Sequence, residues 1–277
     1  MCCWDLPPTA HMDSHANFKI LVPGRFPYMC SLRDPGSSRM FCAGTLVHPS
    51  LVMTAAHCLA TSTLTADITE ITIICGDYML AADNGTDIRK MRDHAIHPQW
   101  SQSKRGNDIG LIWLDAPASN TPTVAVASPD LWVRIGTPGQ KLWGAGWGRL
   151  NLVDQPGEKP RYPQVLQQFQ APLVDYSRCN AQDIYAGRVD PDTMICVGWL
   201  GQNGGASSCK GDSGGPMVYV PGSLDNTSSH VQVGIISWSG ESCGTAADPD
   251  VDTKVATYYD WVRQAISEVE SSTKSGG

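Results

Sequence analysis

The run Gly211-Asp212-Ser213-Gly214-Gly215-Pro216 sets a serine among glycines. A serine hydroxyl is a poor nucleophile near neutral pH. It needs a base within hydrogen-bond reach and a third group to orient that base. It also needs backbone N–H donors converging on the oxyanion that forms when it attacks a carbonyl, and neighbouring glycines let the chain turn its amides toward one point. His57, in Thr54-Ala55-Ala56-His57-Cys58, is a candidate base. Asp108, leading the apolar run Ile109-Gly110-Leu111-Ile112-Trp113-Leu114, is a candidate orienting acid. Each residue alone has an ordinary alternative: a Gly-rich turn, a packed core histidine, a polar strand edge. Together, in the order His, Asp, Ser, they make the set that acyl transfer requires.

These residues need a rigid frame, and the composition says which kind. The chain has 277 residues, only 17% of them charged, with 27 glycines and 19 prolines. Many turn formers and few charges favour short strands over long helices. Strands are predicted at 28–32, 40–47, 51–55, 68–75 and 109–114, then at 141–145, 165–171, 193–197, 217–220, 231–238 and 250–254. A Pro- and Gly-rich stretch at 118–138 reads as the linker between the two groups. The one amphipathic helix predicted is C-terminal, where Val255, Tyr258, Tyr259, Val262, Ala265, Ile266 and Val269 recur at helical spacing. The expected organisation is a non-core segment 1–19, a first β unit 20–117, the linker, a second β unit 139–254, and a helix and tail 255–277.

A net charge of −7 argues against nucleic acid as the main partner. No run of 18 apolar residues exists, so no membrane-spanning helix is expected. Ten cysteines, widely spaced apart from the adjacent Cys2-Cys3 and without a Cys-x-x-Cys pair, point to disulfides rather than a metal centre, and so to a secreted protein. Against this, Met1 to Pro8 shows neither a basic stretch nor an apolar core of a signal peptide.

With these motifs in place, the chain resembles the chymotrypsin/trypsin-like serine proteases over about residues 20–269. Further landmarks of the resemblance are Phe26-Pro27-Tyr28, Phe41-Cys42-Ala43-Gly44-Thr45-Leu46, Gly146-Trp147-Gly148 and Ser237-Trp238. It implies an all-β fold of two six-stranded antiparallel barrels with a C-terminal α-helix and a cleft between the barrels. By the same resemblance, Ser213 is the nucleophile, His57 the base and then acid, and Asp108 the orienting carboxylate supported by Ser237. The N–H groups of Gly211 and Ser213 form the oxyanion hole. The resemblance also implies bridges Cys42–Cys58, Cys179–Cys196 and Cys209–Cys243. Cys2, Cys3, Cys30 and Cys75 stay open, with buried free thiols expected for Cys30 and Cys75 and a Cys30–Cys75 bridge as the alternative.

Matched to family positions, the primary specificity pocket comprises Ser207, Ser237, Trp238, Ser239 and Asp250. Ser207 stands six residues before the nucleophile, where trypsin-like members carry Asp, and alone suggests a neutral pocket. Asp250 could pair with a substrate Arg or Lys from the wall. A basic or mixed preference at P1, the substrate residue on the acyl side of the scissile bond, is therefore expected, with an apolar preference as the alternative. Family zymogens are cut to free an amine that pairs with the Asp before the nucleophile, here Asp212. Lys19-Ile20 offers such a cut, yet Ile20 lies unusually close to Phe26 and Pro23 stiffens the segment. The activation segment therefore reads as degenerate or truncated.

Two Asn sequons, 84–86 and 226–228, are glycosylation candidates. Asp77, Asn84 and Asp87 lie where some relatives bind calcium; no other cofactor is expected. The expected partners are polypeptide substrates and protein protease inhibitors, acting on a monomer. Two other readings are a catalytically silent protease-like binding protein and an esterase of the α/β-hydrolase type. The order of the triad counts against the esterase, in which Ser comes first.

Overall fold

The computed structural model describes residues 19–20, 22–35, 39–60, 70–80, 87–150, 159–200, 205–240, 243 and 248–275. A two-residue strand, β1 (Lys19–Ile20), comes first. The next six strands are β2 (Met29–Arg33), β3 (Met40–His48), β4 (Leu51–Thr54), β5 (Thr72–Cys75), β6 (Asp87–Ile96) and β7 (Gly110–Leu114). They close into an antiparallel barrel in the order β2-β3-β4-β7-β6-β5. In β4 every residue is buried, which is why Leu51, Val52 and Met53 read as an unbroken apolar run. Strand β6 escapes the sequence pattern because only Asp87 and Met91 of its ten residues are buried. It is held by backbone pairing to β5 and β7 rather than by an apolar face.

The second half begins with β8 (Ala125–Val126). It continues with β9 (Lys141–Gly146), β10 (Gln167–Pro172), β11 (Met194–Val197), β12 (Pro216–Tyr219), β13 (Val231–Trp238) and β14 (Asp250–Lys254). Six of these curl in the order β10-β9-β12-β13-β14-β11, and a bridge between Leu173 and Val197 brings the last strand back to the first. β1 adds to the free side of β10, and β8 pairs in parallel with β13. The architecture is thus two curled antiparallel barrels with few helices.

Among the described residues there are four α-helices: α1 (Ala56–Leu59), α2 (Pro129–Ile135), α3 (Tyr176–Cys179) and α4 (Tyr259–Ser275). The stretch 118–138 is therefore not a bare linker, since it holds β8 and α2. The signal for α2 is local: the Ser128 side chain accepts the Leu131 N–H at 3.2 Å, and Pro129 sits at the start of the first turn. The apolar face of α4 carries Val262, Ala265 and Ile266. With Tyr258 just before the helix, they pack into the core that holds Leu46, Leu51 and Leu111 of the first barrel. The C-terminal helix thereby ties the second half to the first.

Cys42–Cys58, Cys179–Cys196 and Cys209–Cys243 are disulfides. Cys30 and Cys75 are not free thiols: they form a fourth bridge. The physical reason is register, because β2 and β5 place these two residues directly opposite each other at the seam that closes the first barrel. Cys2, Cys3 and the sequon 84–86 lie outside the described residues; Asn226 is exposed. Two of the calcium candidates have protein partners. Asp77 faces Arg33 at 3.5 Å. Asp87 accepts the backbone N–H groups of Ser119, Asn120 and Thr121 and pairs with Arg89. Asn84 lies outside the described residues.

Candidate active site

β4 pairs with β7 so that Thr54 lies opposite Gly110. That register brings His57, on the one-turn α1 that follows β4, alongside Asp108, two residues before β7. Asp108 Oδ2 lies 2.7 Å from His57 Nδ1, and Asp108 Oδ1 accepts the His57 backbone N–H at 2.8 Å. Ser237 Oγ donates to the same Oδ2, and Thr253 Oγ1 donates to the Asp108 carbonyl at 2.8 Å. Burial tends to raise the Asp108 pKa. The hydrogen bonds and charge of His57, with the Ser237 hydroxyl, outweigh it and hold the carboxyl below its ordinary range. An ionised Asp108 takes its hydrogen bond from Nδ1–H, which leaves Nε2 as the acceptor.

Ser213 is clamped between the two halves. Its carbonyl accepts the Ala43 N–H from β3 at 2.8 Å, while Gly214 N–H donates to Ile236 of β13 at 2.8 Å. Among the described residues, the N–H groups of Gly211 and Ser213 have no intramolecular acceptor. Gly211 reaches this arrangement with φ of +105°, which a side chain would oppose. A cavity is lined by His57, Asp108, Ser237 and Trp238, together with Trp100, Gln102 and Arg105. Arg105 lies 5.3 Å over the Trp238 ring. Cys42 and Cys58 place their sulfurs near His57 with ligand-like spacing, but the two sulfurs are bonded to each other and offer no thiolate.

Asp212 is buried, and its carboxylate accepts N–H groups from Gly148 at 2.7 Å and Cys209 at 2.9 Å. Gly146 and Gly148 make the space: a Cβ at Gly146 would lie 1.9 Å from Asp212 Oδ1, and one at Gly148 2.2 Å from Oδ2. That is the structural use of Gly146-Trp147-Gly148. Burial raises the Asp212 pKa to about 6, despite these two N–H donors. Ile20 pairs instead with Gln167 of β10, which pairs in turn with Gly146. Two strand spacings, about 10 Å, thus separate Ile20 from the Asp212 cradle.

Ser207 and Asp250 come together at the predicted pocket. Ser207 Oγ donates to the Ser208 carbonyl at 2.9 Å. Ser208 donates to Asp250 Oδ2 from its N–H at 2.8 Å and from its hydroxyl at 2.9 Å. Asp250 is 2% exposed. Ser239 hydrogen-bonds only weakly to the Gly240 carbonyl, at 3.4 Å. Sequence reasoning missed Ser208, Asp252 and Thr253. Only the alternation Asp250-Val251-Asp252 in a predicted strand could have signalled that two acids share a face.

The sequence model of the family described as Trypsin matches residues 20–262. Among curated proteins, the chain is 35% identical over 243 residues to Trypsin I-P1 of Gallus gallus, covering 87% of this chain and 84% of that protein. It is 32% identical over 243 residues to Serine protease 1 of Canis lupus familiaris, covering 87% and 85%. It is also 32% identical to Coagulation factor XII of Bos taurus, over 88% of this chain and 38% of that longer protein.

Proposed function

The chain belongs to the trypsin family of serine peptidases, and on that premise we propose that it cleaves polypeptides through His57, Asp108 and Ser213. The observation that carries this reading is the two-point hold of Asp108 on His57, with Ser237 on the same carboxylate. Ser213 Oγ attacks the scissile carbonyl carbon, and His57 Nε2 takes its proton. The uncommitted N–H groups of Gly211 and Ser213 receive the oxyanion. The intermediate collapses to an acyl-enzyme as His57 gives the proton to the leaving amine. Water then enters by the same route in reverse, and Asp108 stays ionised throughout.

The pocket formed by Ser207, Ser237, Trp238, Ser239 and Asp250 takes a basic P1 side chain, or basic and neutral ones together; the buried Asp250 supports this. Activation requires a cation for the buried Asp212. An amine freed by cleavage after Lys19 would supply it, provided Ile20 leaves Gln167. The enzyme acts as a secreted monomer, and protein protease inhibitors compete for its cleft.

A serine-reactive phosphonate tests the reading. After treatment with a Lys/Arg-specific activating protease, covalent labelling should appear in the intact mass and vanish in Ser213→Ala. Absence of label at every stage would favour the alternative, a catalytically silent binding protein with an unengaged Asp212.

A further inference from the structure

Beyond Trp238 lies a second cavity, of about 650 Å³, larger than the one at His57. Arg105 and Trp238 line both, so the two spaces share a wall. One side of the second cavity is the loop that precedes Asp108. Ser101 N–H donates to the Gly106 carbonyl at 3.1 Å and folds that loop into a tight hairpin. Asn107 anchors its base, donating to the Gln99 carbonyl at 3.0 Å and accepting the Tyr258 hydroxyl at 2.9 Å. Arg105 and Asn107 hold φ of +53° and +56°, which side chains seldom adopt. This shaped backbone brings Lys104 and Arg105 to the cavity. The other side is the turn after Tyr185. There Arg188 Nε donates to the Tyr185 carbonyl at 3.1 Å, and the guanidinium lies 5.6 Å over the Tyr185 ring.

Three cations thus face one space on a chain whose net charge is −7. Among the described residues, none of the three forms an ion pair. Asp190 is the one acid among the described lining residues, and it is engaged elsewhere. Its oxygens accept the Asp192 N–H at 3.0 Å and the Thr193 hydroxyl at 2.8 Å. The cavity therefore keeps a positive excess that oxyanions can meet through charge-assisted hydrogen bonds. Position decides which oxyanions. The P1 side chain enters beside Ser237 and Trp238. A substrate that continues past Trp238, away from the scissile bond, advances about 3.3 Å per residue and so delivers successive side chains to this cavity. The occupant is then an extended polypeptide, and its oxyanions are Asp and Glu carboxylates.

We propose that Lys104 and Arg188, with Arg105, form a receptor for acidic residues of the substrate on the N-terminal side of P1, making Lys104 and Arg188 specificity-determining residues. The substrate chain rests on the peptidase reading; the preference for anions rests on the cavity. All three cations are exposed, so each contact is weak alone and is screened by salt. Acidic residues therefore act as a group, and a single carboxylate has little effect.

Peptides that share one P1 residue, whichever of Arg or Phe is cleaved, test this with the full chain after activating cleavage. A pair of Glu or a pair of Gln is walked through P3 to P6. The best Glu peptide should exceed its Gln counterpart about three- to thirtyfold in kcat/KM, through KM. Raising NaCl from about 0.02 to about 0.5 M should erase that ratio, a measurement that needs no variant. Replacing both residues, Lys104→Gln and Arg188→Gln, should bring the ratio near one. Turnover of a small ester with the same P1, too short to reach the cavity, should stay unchanged and reports that the double variant folds. A ratio near one at every position in low salt would overturn the proposal, as would a ratio that survives the double variant. So would a sulfated polysaccharide whose binding needs Lys104 and Arg188 and which Glu peptides fail to displace. Anisotropy of a labelled Glu peptide on the Ser213→Ala protein separates the two readings. Turnover without a Glu preference sinks the receptor alone; Lys104-dependent binding of the Glu peptide without turnover by the unmodified chain sinks the peptidase reading alone.

Discussion

Asp108 grips His57 at two atoms, its Oδ1 on the backbone N–H at 2.8 Å and its Oδ2 on ring Nδ1 at 2.7 Å. One carboxylate thus fixes both the position of α1 and the tautomer of the ring it carries. Geometry and chemistry can be separated by mutation because the amide of an asparagine fits the same space.

Asp108→Asn should keep the fold and lower kcat by roughly 10⁴, because the asparagine N–H favours the wrong tautomer of His57. Active-site titration with the phosphonate, alongside steady-state kinetics, would separate slow chemistry from lost protein. A drop of less than about tenfold would remove Asp108 from the mechanism.

Gly214 has φ of +82°, and a Cβ there would lie 2.2 Å from Thr54 Oγ1 and 2.3 Å from the Ala43 carbonyl oxygen. The second clash is with backbone and cannot be relieved by a side-chain rotation. Gly214→Ala should cost at least about 2 kcal/mol and separate Ser213 from β3. Urea unfolding of the Ser213→Ala protein with and without this change gives the difference free of autolysis.

The Cys30–Cys75 bridge closes a sequence separation of 45 at the barrel seam. Replacing both with serine should destabilise the chain by about 2–4 kcal/mol, from the restored freedom of the unfolded loop. Differential scanning calorimetry would show it as a lower Tm. An unchanged Tm would mean that β2 and β5 hold the seam unaided.

Burial raises the Asp212 pKa to about 6, above its ordinary value of 3.8, because it outweighs the N–H donors of Cys209 and Gly148. The folded chain binds this proton more tightly than the unfolded chain, so ionisation opposes folding. The penalty is absent below about pH 4, grows between pH 4 and 6, and is complete above. Asp250, raised to about 7, acts in the same sense. Uncleaved protein should therefore lose stability from pH 4.5 to 7.5, and Asp212→Asn should lose less. Equal losses in the two proteins, read from Tm at both values, would show that Asp212 already has a cationic partner.

Local chemistry was legible in the chain because it depends on residue type and order. A serine between glycines, an alanine-flanked histidine and an aspartate leading an apolar strand announced themselves, as did the periodic face of α4. So did most strands, wherever burial made them apolar. Strand β6 did not, since apart from Asp87 and Met91 its side chains are not buried and show no continuous apolar face. Helix α2 lay hidden in a Pro-rich stretch whose cap, Ser128, is a common residue.

The sequence by itself determined the chemical groups, their order and the two-part β organisation, because strand periodicity and turn residues act over a few positions. Only the tertiary structure decided which groups meet. Register across strands far apart in sequence joined Cys30 to Cys75, set Asp108 against His57, and seated Asp212 between Gly146 and Gly148. It also buried Asp250 and Asp252 on one face of β14, where burial raises the proton affinity of both acids.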